Sequence, residues 1–203
     1  MCQVTNGGES EASRQDRIRD AALKVFAIHG TSETTLQMIA EAAGVSVGLI
    51  QHHFGSKDRV IAAVDAHVLT VIATTMSAPL PESATEAVFE VGQRINFLIT
   101  EQVSVVDYLA RMLVAGTPAG TAVFDALVTI GMGQWQQLAD SGATDADIDV
   151  LWAALNPMFL ALGAIILRRH LDRHLPEPFT TRTQQERWER AVRRLISQGQ
   201  LRG

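Results

Sequence analysis

Gln51, His52 and His53 stand together near the end of a run, Thr34 to Lys57, that is the most informative stretch of this 203-residue chain. The chemistry open to such a run is recognition rather than catalysis. Elsewhere the sequence holds no Gly-rich phosphate loop, no nucleophile elbow and no paired carboxylates with an obvious partner. His170 and His174 have the four-residue spacing of metal ligands on one helical face. No Glu follows His170 and no Cys lies nearby, so the metalloprotease pattern is absent and neither metal nor other cofactor is expected. Cationic residues near a helix C-terminus are expected from the helix dipole alone.

The elements that must position this run are short helices. A first helix is predicted from Ser13 to His29, with Ile18, Ala22, Val25, Phe26 and His29 on one stripe and Gly30 as its stop. Thr34 or Thr35 then caps a second helix, with Gln37 placed three residues after Thr34 as in a capping box. Ser46 caps a third, reaching Phe54, and Ser56 a fourth, running towards Met76. The tight turn Ala43-Gly44-Val45-Ser46 forces helices two and three to cross steeply. Ala40 sits at their closest approach, and Gly44 takes the left-handed conformation that the turn requires. Ile39, Ala43, Val45, Ile50 and His53 fall on the inward faces. This is helix-turn-helix geometry, and it leaves the outer face of the third helix free to enter a major groove.

The run Thr35-Leu-Gln-Met-Ile-Ala-Glu-Ala-Ala-Gly-Val-Ser-Val-Gly-Leu-Ile-Gln-His-His-Phe-Gly-Ser-Lys57 closely resembles the DNA-binding domain of the tetracycline-repressor (TetR) family. That family's pattern is IAxxAGVSxGxxYxxFxxK, about 40 residues from the N-terminus, as here. The resemblance covers about the first quarter of the chain. It implies that Thr35 and Lys57 anchor phosphates, Lys57 at a helix N-terminus where backbone amides favour an anion. It places Gln37, Val47, Gly48, Leu49, Gln51 and His52 towards the bases; with Ser46 these complete the expected DNA-contact set. Gln51 departs from the pattern, which has Tyr there. Gln can make two hydrogen bonds to an adenine edge, whereas Tyr tends to reach a phosphate. His53 is expected to pack inward and His52 to face DNA.

Composition supports an all-α fold of about nine helices. Hydrophobic residues make up 47% of the chain, and Pro and aromatic residues are few. The expected organisation is a disordered leader at 1–12, a three-helix DNA-binding domain at 13–58 and a helical effector-binding and dimerisation domain at 59–203. Further helices are predicted at 83–101, 103–115, 119–140, 145–174 and 183–198, with Pro157 kinking the longest. The single cysteine, Cys2, cannot build a disulfide framework, which suits a reducing cytoplasm. Net charge is −5. Residues 60–167 carry Arg94 and Arg111 against eleven acids, and residues 168–203 nine arginines against four. Bulk charge alone would never suggest DNA binding.

The body reads as sensor and dimer interface. Val150 to Leu167 is apolar or small save for Asn156, only just reaching spanning length; a buried subunit interface accounts for it better than a membrane. Trp188, Val192, Leu195 and Ile196 form a stripe that would join it in a homodimeric four-helix interface. Arg187, Arg190, Arg193 and Arg194 form a solvated face balanced by Glu186 and Glu189. Candidate pocket residues are Phe97, Tyr108, Met112, Phe124, Trp135, Trp152, Met158 and Phe159, with Asn96, Gln134 and Asn156 able to orient a ligand. The acidic body favours a neutral or cationic apolar effector over an anionic one. Together these features predict a non-enzymatic regulator released from a palindromic operator on double-stranded DNA by a small molecule. The competing reading is a helical protein–protein adaptor whose basic C-terminal end binds an acidic partner.

Overall fold

The computed structural model describes residues 11–200, and its regular elements are helices. In order they are α1 (Glu11–His29), α2 (Leu36–Ala43), α3 (Val47–Phe54), α4 (Lys57–Ser77), α5 (Ala84–Glu101), α6 (Val103–Ala115), α7 (Pro118–Asp140), α8 (Val150–Ile166), α9 (Arg168–Leu171) and α10 (Arg182–Gln200). The expected leader, Cys2 included, lies outside the described residues except for Glu11 and Ala12, which open α1. The chain forms two compact units, one ending at His67 and the other beginning at Val68, so α4 runs through the division.

In the first unit α1 packs on α2, and α2 on α3. Ile18, Ala22 and Phe26 of α1, Ile39 and Ala40 of α2, Ile50 of α3 and Val60 and Val64 of α4 are all essentially removed from water. Burial of side chains of this size stabilises the fold by roughly 1.5–3 kcal/mol each for the larger ones. Capping follows the sequence, which left Thr34 and Thr35 as alternatives for α2. Thr35, not Thr34, is the α2 cap and accepts from the Met38 N–H at 3.2 Å. The buried Thr34 hydroxyl instead donates to the Gly30 carbonyl at 2.7 Å, tying the end of α1 to the loop. Gln37 is then one position short of a capping box; its amide donates to Glu41 one turn on, at 3.0 Å.

In the second unit α7 packs along α8, α6 contacts both, and α10 lies against α5 and α8. α6 and α7 come close at Gly120 of α7, where a Cβ would stand 2.7 Å from the Met112 carbonyl oxygen of α6. Thr117 caps α7 through the Gly120 N–H at 3.0 Å, so one glycine serves both the cap and the crossing. The C-terminal end of α4 is held by Arg94, a buried guanidinium on α5. It donates to the carbonyls of Met76, Ala78 and Pro79 at 3.3, 2.7 and 2.8 Å and to the Glu90 carboxylate at 3.0 Å. Gln134 of α7 also donates to the Met76 carbonyl, at 2.9 Å.

Among the described residues ten helices stand where nine were expected, because the helix predicted over 145–174 is shorter and broken. Asp149 caps α8, accepting from the Leu151 and Trp152 amides, so 145–149 stay outside it. At the other end Leu167, with ψ near 7°, stops α8, and Arg168 turns to the Asp107 carboxylate at 2.9 Å. No Gly or Pro marks that break. Pro157 lies inside α8, where its ring nitrogen cannot donate to the Ala153 carbonyl. As a single helix α4 is long and apolar enough to cross a membrane by length and composition, but its Val60, Val64, Val68 and Ile72 form a buried stripe opposite exposed positions. α8 is shorter, at 17 residues.

Candidate nucleic-acid interface and interior cavity

The crossing of α2 and α3 is fixed by the backbone of the turn between them. Gly44 sits at φ 65°, and the Val45 N–H donates back to the Ala40 carbonyl at 3.0 Å. Ala40 is 2% exposed, so a larger side chain there would have to displace its neighbours. Ser46 then opens α3, its hydroxyl accepting from the Leu49 N–H at 3.2 Å. Ile50 is the buried anchor of α3. Ile50 is the one fully buried residue of the helix, and His53 and Phe54 beside it are half-buried, so one face of α3 packs inward and the other is turned to solvent. Gly48, Gln51 and His52 are exposed, and Val47 and Leu49 half-buried. A Cβ at Gly48 would meet nothing closer than the Ser46 hydroxyl at 3.9 Å, so this corner is open to an approaching partner.

The other DNA-contact residues expected from the sequence lie at the cap and first turn of α2, at the cap of α3 and in the first turn of α4. Thr35, Gln37 and Ser46 are exposed. Lys57 stands in the first turn of α4, half-buried, with its ammonium 3.5 Å from the Ser32 carbonyl. That is a long contact, readily exchanged for a stronger acceptor. The His53 ring lies 5.3 Å from that of His52, edge to face, and is half-buried while His52 is exposed. The arrangement offers amide, imidazole and hydroxyl groups on a rigid, capped pair of helices, with a cation beside it.

The second unit encloses a cavity of about 150 Å³ between α5, α6, α7, α8 and α10 and the end of α4. Of the eight expected pocket residues, Trp135 and Met158 line it. Tyr108 and Met112 are buried elsewhere, Phe124 is half-buried, and Phe97, Trp152 and Phe159 are exposed, 46%, 53% and 47%. Helical periodicity locates an apolar stripe but does not say which of two neighbouring stripes meets a void. Trp188, Val192 and Ile196, expected at a subunit interface, turn inward to line the cavity, leaving Leu195 of that stripe exposed. Glu189, expected on a solvated face, is 7% exposed and also lines the cavity, as do Arg193 and Gln134. Sequence reasoning missed Glu189 because it stands among charged neighbours. Its place between Trp188 and Val192, four before Arg193, was the available signal.

A second feature of this unit is an apolar surface on α8. Leu151, Trp152, Phe159, Leu160, Ile166 and Leu167 are all exposed, although their spacing predicts burial on every side. The inner residues of the same helix, Ala153, Ala154, Ala161, Leu162 and Ala164, are buried. The helix is therefore two-faced in one chain, with large apolar side chains outward and a mostly small-residue face packed into the second unit.

A family model described as "Bacterial regulatory proteins, tetR family" matches residues 18–64. Among curated relatives, the chain is 34% identical over 77 residues to the HTH-type transcriptional regulator BetI of Brucella canis, covering 38% of this chain and 39% of that protein. It is 47% identical over 64 residues to the HTH-type transcriptional regulatory protein RaaS of Mycobacterium tuberculosis, covering 32% and 30%. The matched segment thus spans well under half the length of these relatives. Among solved structures, the fold is similar to that of SmeT, the repressor of the Stenotrophomonas maltophilia multidrug efflux pump SmeDEF, with a TM-score of 0.70 at 20% identity over 93% of this chain and 90% of that one. A SmeT–triclosan complex matches with a TM-score of 0.66 at 21% identity, covering 94% and 92%.

Proposed function

We propose, from the match of residues 18–64 to the model of the tetR family of bacterial regulatory proteins, that this chain is a dimeric, ligand-responsive transcriptional regulator of that family. The observation that carries the reading is the outer face of α3. It is exposed, polar at Gln51 and His52, open at Gly48, and held on a capped helix pair by the single buried anchor Ile50. An α-helix presented in this way fits a B-DNA major groove. Gln37, Val47, Gly48, Leu49, Gln51 and His52 would face bases, while Thr35, Ser46 and Lys57 would meet the backbone. Lys57 would exchange its long contact to Ser32 for a phosphate.

Two features of the second unit support the rest. The exposed apolar face of α8, with Leu195 of α10, suits a second copy of the chain, since large apolar patches on a lone subunit are otherwise a liability. The cavity suits a small apolar effector, in keeping with the triclosan complex of the structurally similar SmeT. Its lining includes Ile72 and Met76 on α4, the helix that begins at Lys57 beside the reading surface. A ligand that displaces those side chains would act on α4, and two half-sites on a duplex tolerate little change in spacing. Effector binding would then release a palindromic operator.

Selection of sites from random duplex DNA by the purified protein, at near-physiological salt, tests this directly. Enrichment of a two-fold symmetric motif is the expected result. Weak binding without sequence preference, by protein shown to be folded and free of small molecules, would favour the adaptor reading instead.

A further inference from the structure

Three side chains with hydrogen-bonding or charged ends beyond tryptophan line the cavity: Gln134, Glu189 and Arg193. Their hydrogen bonds are unequally satisfied. Gln134 has given an amide N–H to the Met76 carbonyl, which leaves its own carbonyl oxygen as an acceptor. Glu189 is buried to more than nine-tenths, and its Oε1 has no hydrogen-bond partner. Its nearest counter-charge is Arg193 Nε at 3.5 Å, well beyond the 2.7–2.9 Å of a charge-assisted hydrogen bond. Arg193 is also drawn elsewhere: its guanidinium lies 5.2 Å from the centre of the Phe89 ring, and a third of its side chain is exposed. Across the cavity wall, Gly92 leaves the space the carboxylate occupies. A Cβ there would stand 3.1 Å from Glu189 Cγ and 3.5 Å from Oε1.

A carboxylate held in an apolar enclosure with one slack partner is costly unless something else completes it. The unused groups are acceptors, so the missing piece is a donor, and beside a carboxylate a positively charged donor gains most. We infer that the effector of this cavity is a lipophilic cation, an apolar body bearing a protonated amine, and that Glu189 is the counter-charge that selects it. This rests on the sensor reading given above. Apolar walls from α5, α7 and α8 take the body of the ligand, and the amine meets Glu189 Oε1 and the Gln134 carbonyl. An anion of the same shape would meet the carboxylate first.

The test is a matched series of probes on the intact protein: 4-phenylbutylamine, 4-phenylbutanol and 4-phenylbutyrate at neutral pH. Binding is followed by tryptophan fluorescence, since Trp135 and Trp188 line the cavity, with calorimetry as a second measure. The amine is expected to bind at least tenfold more tightly than the alcohol, and the carboxylate more weakly still. Glu189→Gln keeps the shape and removes the charge. It should abolish the preference for the amine, leave the alcohol within about threefold, and improve the carboxylate, because Arg193 is then unopposed. Gly92→Ala crowds Glu189 without touching its charge and should weaken the amine more than the alcohol, which covers the case of a poorly folded Glu189→Gln. Equal binding of all three probes, or an amine preference that survives Glu189→Gln, would overturn the inference while leaving the cavity a ligand site. Failure of every probe to bind at millimolar concentration would contradict the sensor reading itself.

Discussion

Replacing Arg94 should loosen the end of α4 and little else. The guanidinium spans three carbonyls at the C-terminus of that helix, with Ala78 and Pro79 the shortest contacts at 2.7 and 2.8 Å, and its own carboxylate partner Glu90 lies one turn back on α5. Hydrogen bonds to a charged group are worth roughly 1.5–3 kcal/mol each, but water can reach part of this site and replace some of them. Ser77, Ala78 and Pro79 are exposed whereas Arg94 is 8% exposed. Arg94→Met, which keeps the aliphatic stem, should therefore cost about 2–4 kcal/mol, below the loss for a fully enclosed network. In a chain of this length that corresponds to a fall in melting temperature of about 4–16 °C. Arg94→Lys supplies one ammonium where a planar fork reached several carbonyls, and should recover less than half of the loss. Thermal unfolding by circular dichroism measures both. The same variants should weaken the transmission of ligand binding to DNA more than either binding event, since α4 would move independently of the cavity wall. A melting temperature within a degree of wild type for Arg94→Met would refute the clamp.

Gln51→Ala should change the selected DNA sequence more than general affinity, because a side chain facing base edges carries discrimination of about 1–3 kcal/mol; an unchanged consensus would contradict a base contact there. Ala40→Leu, forced into a buried position of α2, should cost about 1–3 kcal/mol and weaken all duplex binding, measured by thermal melting and anisotropy. Phe159→Glu, on the exposed face of α8, should shift the protein from dimer to monomer in sedimentation while leaving its helical signal intact. Burial, with help from Arg19, holds the His67 imidazole below the ordinary histidine range, against the opposing pull of Asp20 and Asp16. The unfolded chain therefore takes up that proton first, and stability is lost as pH falls through the ordinary histidine range. In urea melts from pH 8 to pH 5, His67→Gln should lose less stability on acidification than wild type, with parallel curves the contrary result.

The helix-turn-helix was legible because its key residues are fixed by local chemistry: a glycine where φ is 65°, an alanine at a buried position of α2, a serine where an amide needs an acceptor. The same kind of signal failed at α8 and α9. Leu167 ends a helix through its ψ and through the pull of Asp107 on Arg168, and neither leaves a mark in the local sequence. The cavity was half legible. Trp135 and Met158 line it, but Phe97 and Trp152 lie on the outside of their helices, because an apolar residue at helical spacing can serve a core, a void or a partner surface equally well. Glu189 was the least visible. Its charge placed it on the solvated side of α10, and only the packing of that helix against α5 and α8 encloses it.

The central claim is that α3 reads sequence rather than charge. Its most direct test is an anisotropy competition at near-physiological salt between the selected duplex and a scrambled duplex of identical length and composition. The expected preference for the selected site is about a thousandfold or more, the range of specific DNA-binding proteins. Affinities for the two duplexes within a few-fold of each other would contradict it.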